Sequence, residues 1–201
     1  MPAATLTVYI VEDDAAVRDS LSLMLGLAGY KSALFADAEA FLAAWETDWA
    51  GCVVADLRLP GKSGLELQAE LRARGSGMPF IMMTAHGDVP SARTAFQAQA
   101  IDFLEKPFAH GQLLAAIETA FSHEGARLER RGDAEKLASL TEREREVLMH
   151  AAKGLHAKEI AALLGVSVRT VEVHKTRIME KLRLRNIGEL VRFALTVERG
   201  K

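Results

Sequence analysis

The chain has 201 residues, 49% hydrophobic and 26% charged, which suits one elongated or two compact domains and excludes a large multidomain enzyme or a mainly disordered chain. No apolar run approaches the roughly 18 residues of a spanning helix, and no basic-then-apolar segment opens the chain, so a soluble, cytoplasmic protein with no membrane partner is expected. The net charge of −2 conceals an asymmetry: residues 1–125 carry 8 Lys and Arg against 16 Asp and Glu, whereas residues 126–201 carry 17 against 11. An acidic half suits cations or phosphate chemistry and a basic half suits a polyanion, although two solvated surfaces give the same counts.

Short apolar and β-branched runs at 6–11, 31–35, 52–56, 80–84 and 100–104 predict five strands. Helical periodicity follows each of them, at 15–28, 38–45, 64–73, 89–98 and 112–121. Five strand–helix units argue for a parallel sheet covered on both faces, with functional groups at the carboxyl ends of the strands. The single cysteine, Cys52, lies in the apolar run 52–55 and reads as a small core residue.

The stretch 124–136 is charged, contains Gly125 and Gly132, and reads as a linker, in part helical. Beyond it no strand pattern recurs and four helices are expected. Thr141 and Glu144 have capping-box spacing at the start of the first. The second runs over 156–164, Ser167 caps a third over 168–182, and the fourth covers 186–197.

The conspicuous polar residues of the acidic half fall at strand ends: Glu12, Asp13 and Asp14 after the first strand, Asp56 ending the third, Thr84 ending the fourth and Lys106 after the fifth. Taken singly, each has an ordinary structural role as a cap, a strand end or a surface charge. Their conjunction is harder to explain that way. Several carboxylates crowded together need a hard cation or a proton, and oxygen ligands without His or Cys suit magnesium. Asp56 beside such a metal can act as nucleophile toward a phosphoryl group, with Lys106 neutralising charge and Thr84 donating a hydrogen bond.

The segments Val11-Glu12-Asp13-Asp14, Asp56-Leu57-Arg58-Leu59-Pro60-Gly61, Thr84-Ala85-His86-Gly87-Asp88-Val89-Pro90 and Phe103-Leu104-Glu105-Lys106-Pro107-Phe108 resemble the receiver domain of two-component response regulators, the FixJ group above all. The resemblance implies an α/β fold of flavodoxin-like type, with strand order 2-1-3-4-5. It implies that Asp56 accepts a phosphoryl group from a sensor histidine kinase. It further implies that Glu12, Asp13, Asp56 and the backbone carbonyl of Arg58 hold Mg2+, with Asp14 as a further ligand or a helix cap. By the same likeness Thr84 is the switch hydroxyl, Lys106 the phosphate-binding lysine, Phe103 the aromatic switch, and the Lys106–Pro107 bond cis.

In the basic half, two helices joined by Gly165-Val166-Ser167 have helix-turn-helix spacing. On a helical wheel Val171, Ile178 and Leu182 form the core stripe. The opposite face presents Arg169, Glu172, Val173, Thr176 and Arg177, with Lys175 and Lys181 at its edges. Basic groups there would meet phosphates, Glu172 could accept from cytosine N4 and Val173 could touch a thymine methyl, although a solvated amphipathic helix carries similar charges. Leu140-Thr141-Glu142-Arg143-Glu144, Lys158-Glu159-Ile160-Ala161, Ser167-Val168-Arg169-Thr170-Val171-Glu172-Val173-His174 and Lys181-Leu182 look like the LuxR-type DNA-binding domain. That likeness makes 167–181 the recognition helix, places Lys158 and Thr170 on phosphates and gives 186–197 to dimerisation.

The expected organisation is a receiver over 1–123, a linker over 124–136 and an all-α helix-turn-helix domain over 137–201. The expected function is a non-enzymatic transcriptional regulator switched by phosphorylation of Asp56. Its partners are the sensor kinase, double-stranded DNA, a second copy on phosphorylation and, as a further candidate, RNA polymerase. Two other readings stay open: an aspartyl-phosphate hydrolase, which would turn over an external phosphoester, and a constitutive DNA-binding protein with a vestigial receiver.

Overall fold

The computed structural model describes residues 6–85 and 101–199, and the chain separates into two compact units at Arg127/Leu128. In the first unit, strands β1 (Thr7–Val11), β2 (Lys31–Phe35), β3 (Gly51–Asp56), β4 (Phe80–Ala85) and β5 (Asp102–Lys106) form one parallel sheet in the order β2-β1-β3-β4-β5. This is the flavodoxin-like order. All six residues of the central strand β3 are buried, as a sheet covered on both faces requires.

The two-residue period of the strands sorts the core into two layers. Tyr9, Val11, Val53, Ala55 and Met82 pack with Phe41 and Leu42 of helix α2 (Ala38–Ala44) and with Leu67 and Leu71 of α3 (Gly64–Ala73). Val8, Ile10, Cys52, Val54, Ile81 and Met83 face the other way, against Leu21 and Leu25 of α1 (Ala15–Leu27) and Leu113 and Ile117 of α4 (His110–Ala138). Cys52 is therefore core, and burial pushes its thiol pKa far up, which makes it inert as a nucleophile.

Element ends differ from the sequence reading by a residue or two in several places, and two of the differences have a clear physical cause. The fifth strand lies at Asp102–Lys106 because its register is set by pairing to β4, with Ala85 opposite Lys106; Lys106 thus closes the strand rather than following it. The bond to Pro107 is cis. Residues 124–136 are helical throughout, as part of α4. Ala, Glu, Arg and Lys favour helix there, and pairs at helical spacing, Arg131–Glu135 (3.0 Å) and Lys136–Asp133 (3.0 Å), support it across Gly132. The helix expected over 89–98 lies outside the described residues.

Within that stretch Glu124 is completely buried, although it reads as a linker charge. Its carboxylate takes two hydrogen bonds from Arg127 (2.6 and 2.8 Å) and a third from the backbone N–H of Gly51 at the start of β3 (3.3 Å). The backbone of Gly51 admits no side chain, since a Cβ there would fall 1.8 Å from the Thr7 carbonyl oxygen.

The second unit holds α5 (Glu142–Ala152), α6 (Ala157–Leu164), α7 (Val168–Leu182) and α8 (Ile187–Arg199). Leu148, Ile160, Val171, Ile178, Leu190 and Ala194 make its core. The Thr141–Glu144 capping box is formed in both directions (2.8 and 3.3 Å), and Gly165 ends α6 in the left-handed region at φ 66°. Among the described residues no helix is long and apolar enough to cross a membrane.

Removing one member of a buried, fully bonded ion pair strands the other in a low-dielectric site. Glu124→Ala is expected to destabilise the first unit by about 3–5 kcal/mol. Both tryptophans of the chain, Trp45 and Trp49, lie in that unit, so their emission in a urea titration reads it directly. An unchanged midpoint would contradict the role given to Glu124.

Candidate functional site

The carboxyl ends of β1, β3, β4 and β5 lie level in the sheet, and this register assembles the candidate site. Glu12 directly follows β1, Asp56 closes β3, Thr84 is the penultimate residue of β4, and Lys106 closes β5. The Lys106 ammonium lies 2.6 Å from Glu12 Oε2 and also hydrogen-bonds Asp56 Oδ2. The other oxygen of Asp56, Oδ1, accepts from the Arg58 backbone N–H at 2.7 Å. Asp56 is 8% exposed and Glu12 only 2%, so Asp56 keeps an accessible edge while Glu12 is enclosed.

Burial holds the Glu12 carboxyl above the ordinary glutamate pKa even though Lys106 pulls it down. For Lys106, burial works against the charged form, but hydrogen bonds and attraction from Asp56 and Glu12 reverse this and its pKa is raised. The lysine therefore stays cationic at neutral pH. Gly64, at the start of α3, lets the helix pass close to the site: a Cβ there would lie 2.4 Å from the Asp56 carbonyl oxygen and 2.8 Å from Met82 Sδ.

The remaining residues of the constellation occupy its rim. Asp13 is exposed, and Asp14 is the N-cap of α1, accepting from the N–H groups of Ala16 (2.8 Å) and Val17 (3.2 Å). Arg18 reaches back to donate to the backbone carbonyls of Glu12 (2.6 Å) and Asp13 (3.3 Å). Thr84 is buried, its hydroxyl donating to the Ala85 carbonyl at 3.2 Å. Phe103 is half-buried against the core layer that contains Met82, its register partner. Arg58 is exposed.

Among the described residues no three Asp, Glu, His or Cys side chains converge closely enough to hold a metal ion. Glu12 and Asp56 converge on an ammonium instead. As a donor set these carboxylates, with Asp13 beside them, are hard oxygen ligands, which fits magnesium and not a thiolate- or imidazole-seeking metal.

In the second unit, α7 buries Val171, Ile178 and Leu182 and exposes Arg169, Glu172, Val173, Thr176 and Arg177, which with Glu180 line one shallow concavity. Lys158 is exposed on α6. Three residues of the expected reading set are engaged internally. Thr170 shares a hydrogen bond with Ser167 (2.8 Å), and Lys175 is mostly covered and lies 3.3 Å from Glu172. Lys181 lies 2.6 Å from the buried carboxylate of Glu144, which requires a cation there.

A model of the response regulator receiver domain matches residues 8–118, and a model of bacterial regulatory proteins of the luxR family matches residues 138–194. The chain therefore belongs to the two-component response regulators, in the FixJ/NarL class that joins a receiver to a LuxR-type DNA-binding domain and regulates transcription. It is 43% identical to the transcriptional regulatory protein FixJ of Bradyrhizobium diazoefficiens over 192 residues, covering 94% of both chains. It is 44% identical to the FixJ of Azorhizobium caulinodans over 195 residues, covering 95% of this chain and 92% of that one. Among solved structures, the response regulator StyR is similar over 96% of this chain and 100% of its own, at 41% identity and a TM-score of 0.76. Full-length FixJ from B. japonicum is similar over 96% and 97%, at 42% identity and a TM-score of 0.61.

Sequence reasoning passed over Arg18, Gly64, Glu124 and the pairing of Glu144. The last had a legible signal, since Glu144 is the capping-box acid, but its second partner is 37 residues away. Burial pushes the Glu144 pKa up, yet the Lys181 and Thr141 hydrogen bonds outweigh this and hold it below the ordinary value. A depressed carboxylate pKa gives stability that is fully present above the unfolded-state pKa and is lost as pH falls through the folded one. The thermal unfolding midpoint of the second unit, followed by circular dichroism of the full chain, should exceed that of Glu144→Gln at pH 7. The gap should close on acidification below the usual glutamate range; a constant gap would contradict the assignment.

Proposed function

We propose that the chain is a cytoplasmic response regulator in which Asp56 accepts a phosphoryl group from the phosphohistidine of a sensor kinase, and that this controls DNA binding by the second unit. The observation that carries the reading is the meeting of Glu12, Asp56 and Lys106, brought from three strands to one crevice. An Asp56 oxygen attacks phosphorus, the phosphorus–nitrogen bond to the donor imidazole breaks, and an acyl phosphate forms on Asp56. Lys106, held cationic by its surroundings, turns from the carboxylates to the incoming phosphoryl oxygens and neutralises part of their charge. The Arg58 N–H fixes the orientation of the Asp56 carboxylate, and the Thr84 hydroxyl exchanges its Ala85 carbonyl for a phosphoryl oxygen. Glu12, Asp13, Asp56 and the Arg58 carbonyl would hold magnesium, which when bound would supply charge neutralisation.

The added group brings roughly −1.5 to −2 charges and several acceptor oxygens. Thr84 and Phe103 are the residues through which this spreads, the first by its hydroxyl and the second from its half-buried site beside Met82. The favoured state pairs two copies, which present two α7 helices to DNA and, beyond it, a surface to RNA polymerase. On the DNA, Lys158, Arg169 and Arg177 serve phosphates directly, Thr170, Lys175 and Lys181 reach them only by leaving Ser167, Glu172 and Glu144, and Glu172, Val173 and Thr176 face base edges.

Incubation with a small phosphodonor and magnesium should add one phosphoryl group to the wild type by intact mass and none to Asp56→Asn. Lys106→Ala should react at least tenfold more slowly, because an electrostatic partner of the transfer is lost. Phosphorylated wild type should elute as a dimer and bind DNA with a steep inverse salt dependence. Equal modification of Asp56→Asn would sink the proposal.

A further inference from the structure

The face that α7 offers to DNA is not basic. Its concavity is lined by two arginines, Arg169 and Arg177, and by two glutamates, Glu172 and Glu180, so its formal charge is zero although the half of the chain around it is strongly cationic. The side chain of Glu172 is 58% exposed, and it stands between Arg169 one turn before it and Val173 and Thr176 after it. Lys175 lies 3.3 Å away with only 13% of its side chain exposed, so it offsets charge without covering the carboxylate. Thr176 donates its hydroxyl proton to the Glu172 backbone carbonyl at 3.1 Å, which leaves its oxygen only as an acceptor.

A carboxylate carried into the major groove meets phosphates that repel it, so favourable contact there requires a donor on a base edge. Guanine presents two acceptors, thymine an acceptor and a methyl group, and adenine a donor beside the acceptor N7; cytosine presents the N4 amino donor without an adjacent acceptor of its own. We propose that Glu172 is a specificity-determining residue that selects cytosine at one position of the DNA site and rejects guanine and thymine there. This deepens the DNA-reading function proposed above and rests on it. Val173 contacts the neighbouring base pair, and Arg169 and Arg177 supply the attraction that holds the carboxylate in the groove.

The test is selection from a pool of randomised duplexes by the phosphorylated full-length chain, followed by competition binding on single-base variants of the selected site. Wild type, Glu172→Gln and Glu172→Ala are compared, and circular dichroism checks that each is folded; the exposed position makes both substitutions tolerable to the core. Wild type should select cytosine at one position by roughly tenfold or more over guanine and thymine. Glu172→Gln should move that preference toward adenine, because an amide both donates to N7 and accepts from N6. Glu172→Ala should flatten it while leaving the other positions unchanged. An identical base profile for wild type and Glu172→Ala overturns the inference with DNA reading intact. Failure of the wild type to bind any duplex at low salt overturns the DNA-reading function itself.

Discussion

One ammonium group holds the acidic end of the first unit together. Lys106, at the close of β5, contacts carboxylates from the end of β1 and the end of β3, which are buried or nearly so. Two carboxylates brought together in a partly desolvated crevice repel one another unless a cation or a proton answers them. The lysine answers both carboxylates at once, so the folded sheet can keep Asp56 at an accessible edge. Desolvation raises the pKa of the buried Glu12, and the two carboxylates raise that of the lysine they hold, so burial and ion pairing work against each other at the same crevice.

The alternation of the strands makes this arrangement possible. Val8 and Ile10 face α1 and α4 while Tyr9 and Val11 face α2 and α3, so both sheet faces are committed to core and polar chemistry is confined to the strand ends. Gly64 and Arg18 then hold the two loops in place. The glycine lets α3 start against the Asp56 carbonyl, and the arginine fastens the carbonyls of Glu12 and Asp13.

The existence of five strands was legible in local periodicity and the polar residues at their ends in the motifs beside them, whereas the sheet order came only from the resemblance to receiver domains. Asp14 had two readings there, and the geometry makes it the α1 cap, since its carboxylate meets two N–H groups of the first turn. Glu124 was illegible for a different reason. A charged residue among other charges looks solvated, and only the approach of β3 and the helical turn to Arg127 reveal the pocket that encloses it. Lys181 follows the same logic: it sits on the outer edge of the helical wheel, but a buried acid from α5 draws it inward. Long-range pairing of charges is what one-dimensional patterns omit.

The second unit carries this further, because its excess of positive charge does not translate into a basic reading face. Arg131, Lys136, Arg143, Lys175 and Lys181 each lie against a carboxylate, and Arg145 donates to the Leu137 and Ala138 carbonyls. These groups still contribute to the long-range field that attracts a polyanion, but they are poorly placed to give short-range contacts. The phosphate contacts proposed for Lys158, Arg169 and Arg177 position the reading helix, and discrimination between sequences falls to the base edges, because phosphates carry no sequence information. Under the control proposed for Asp56, a modest change in how the reading helix is presented would alter occupancy of a matched site while unmatched sites stay largely empty.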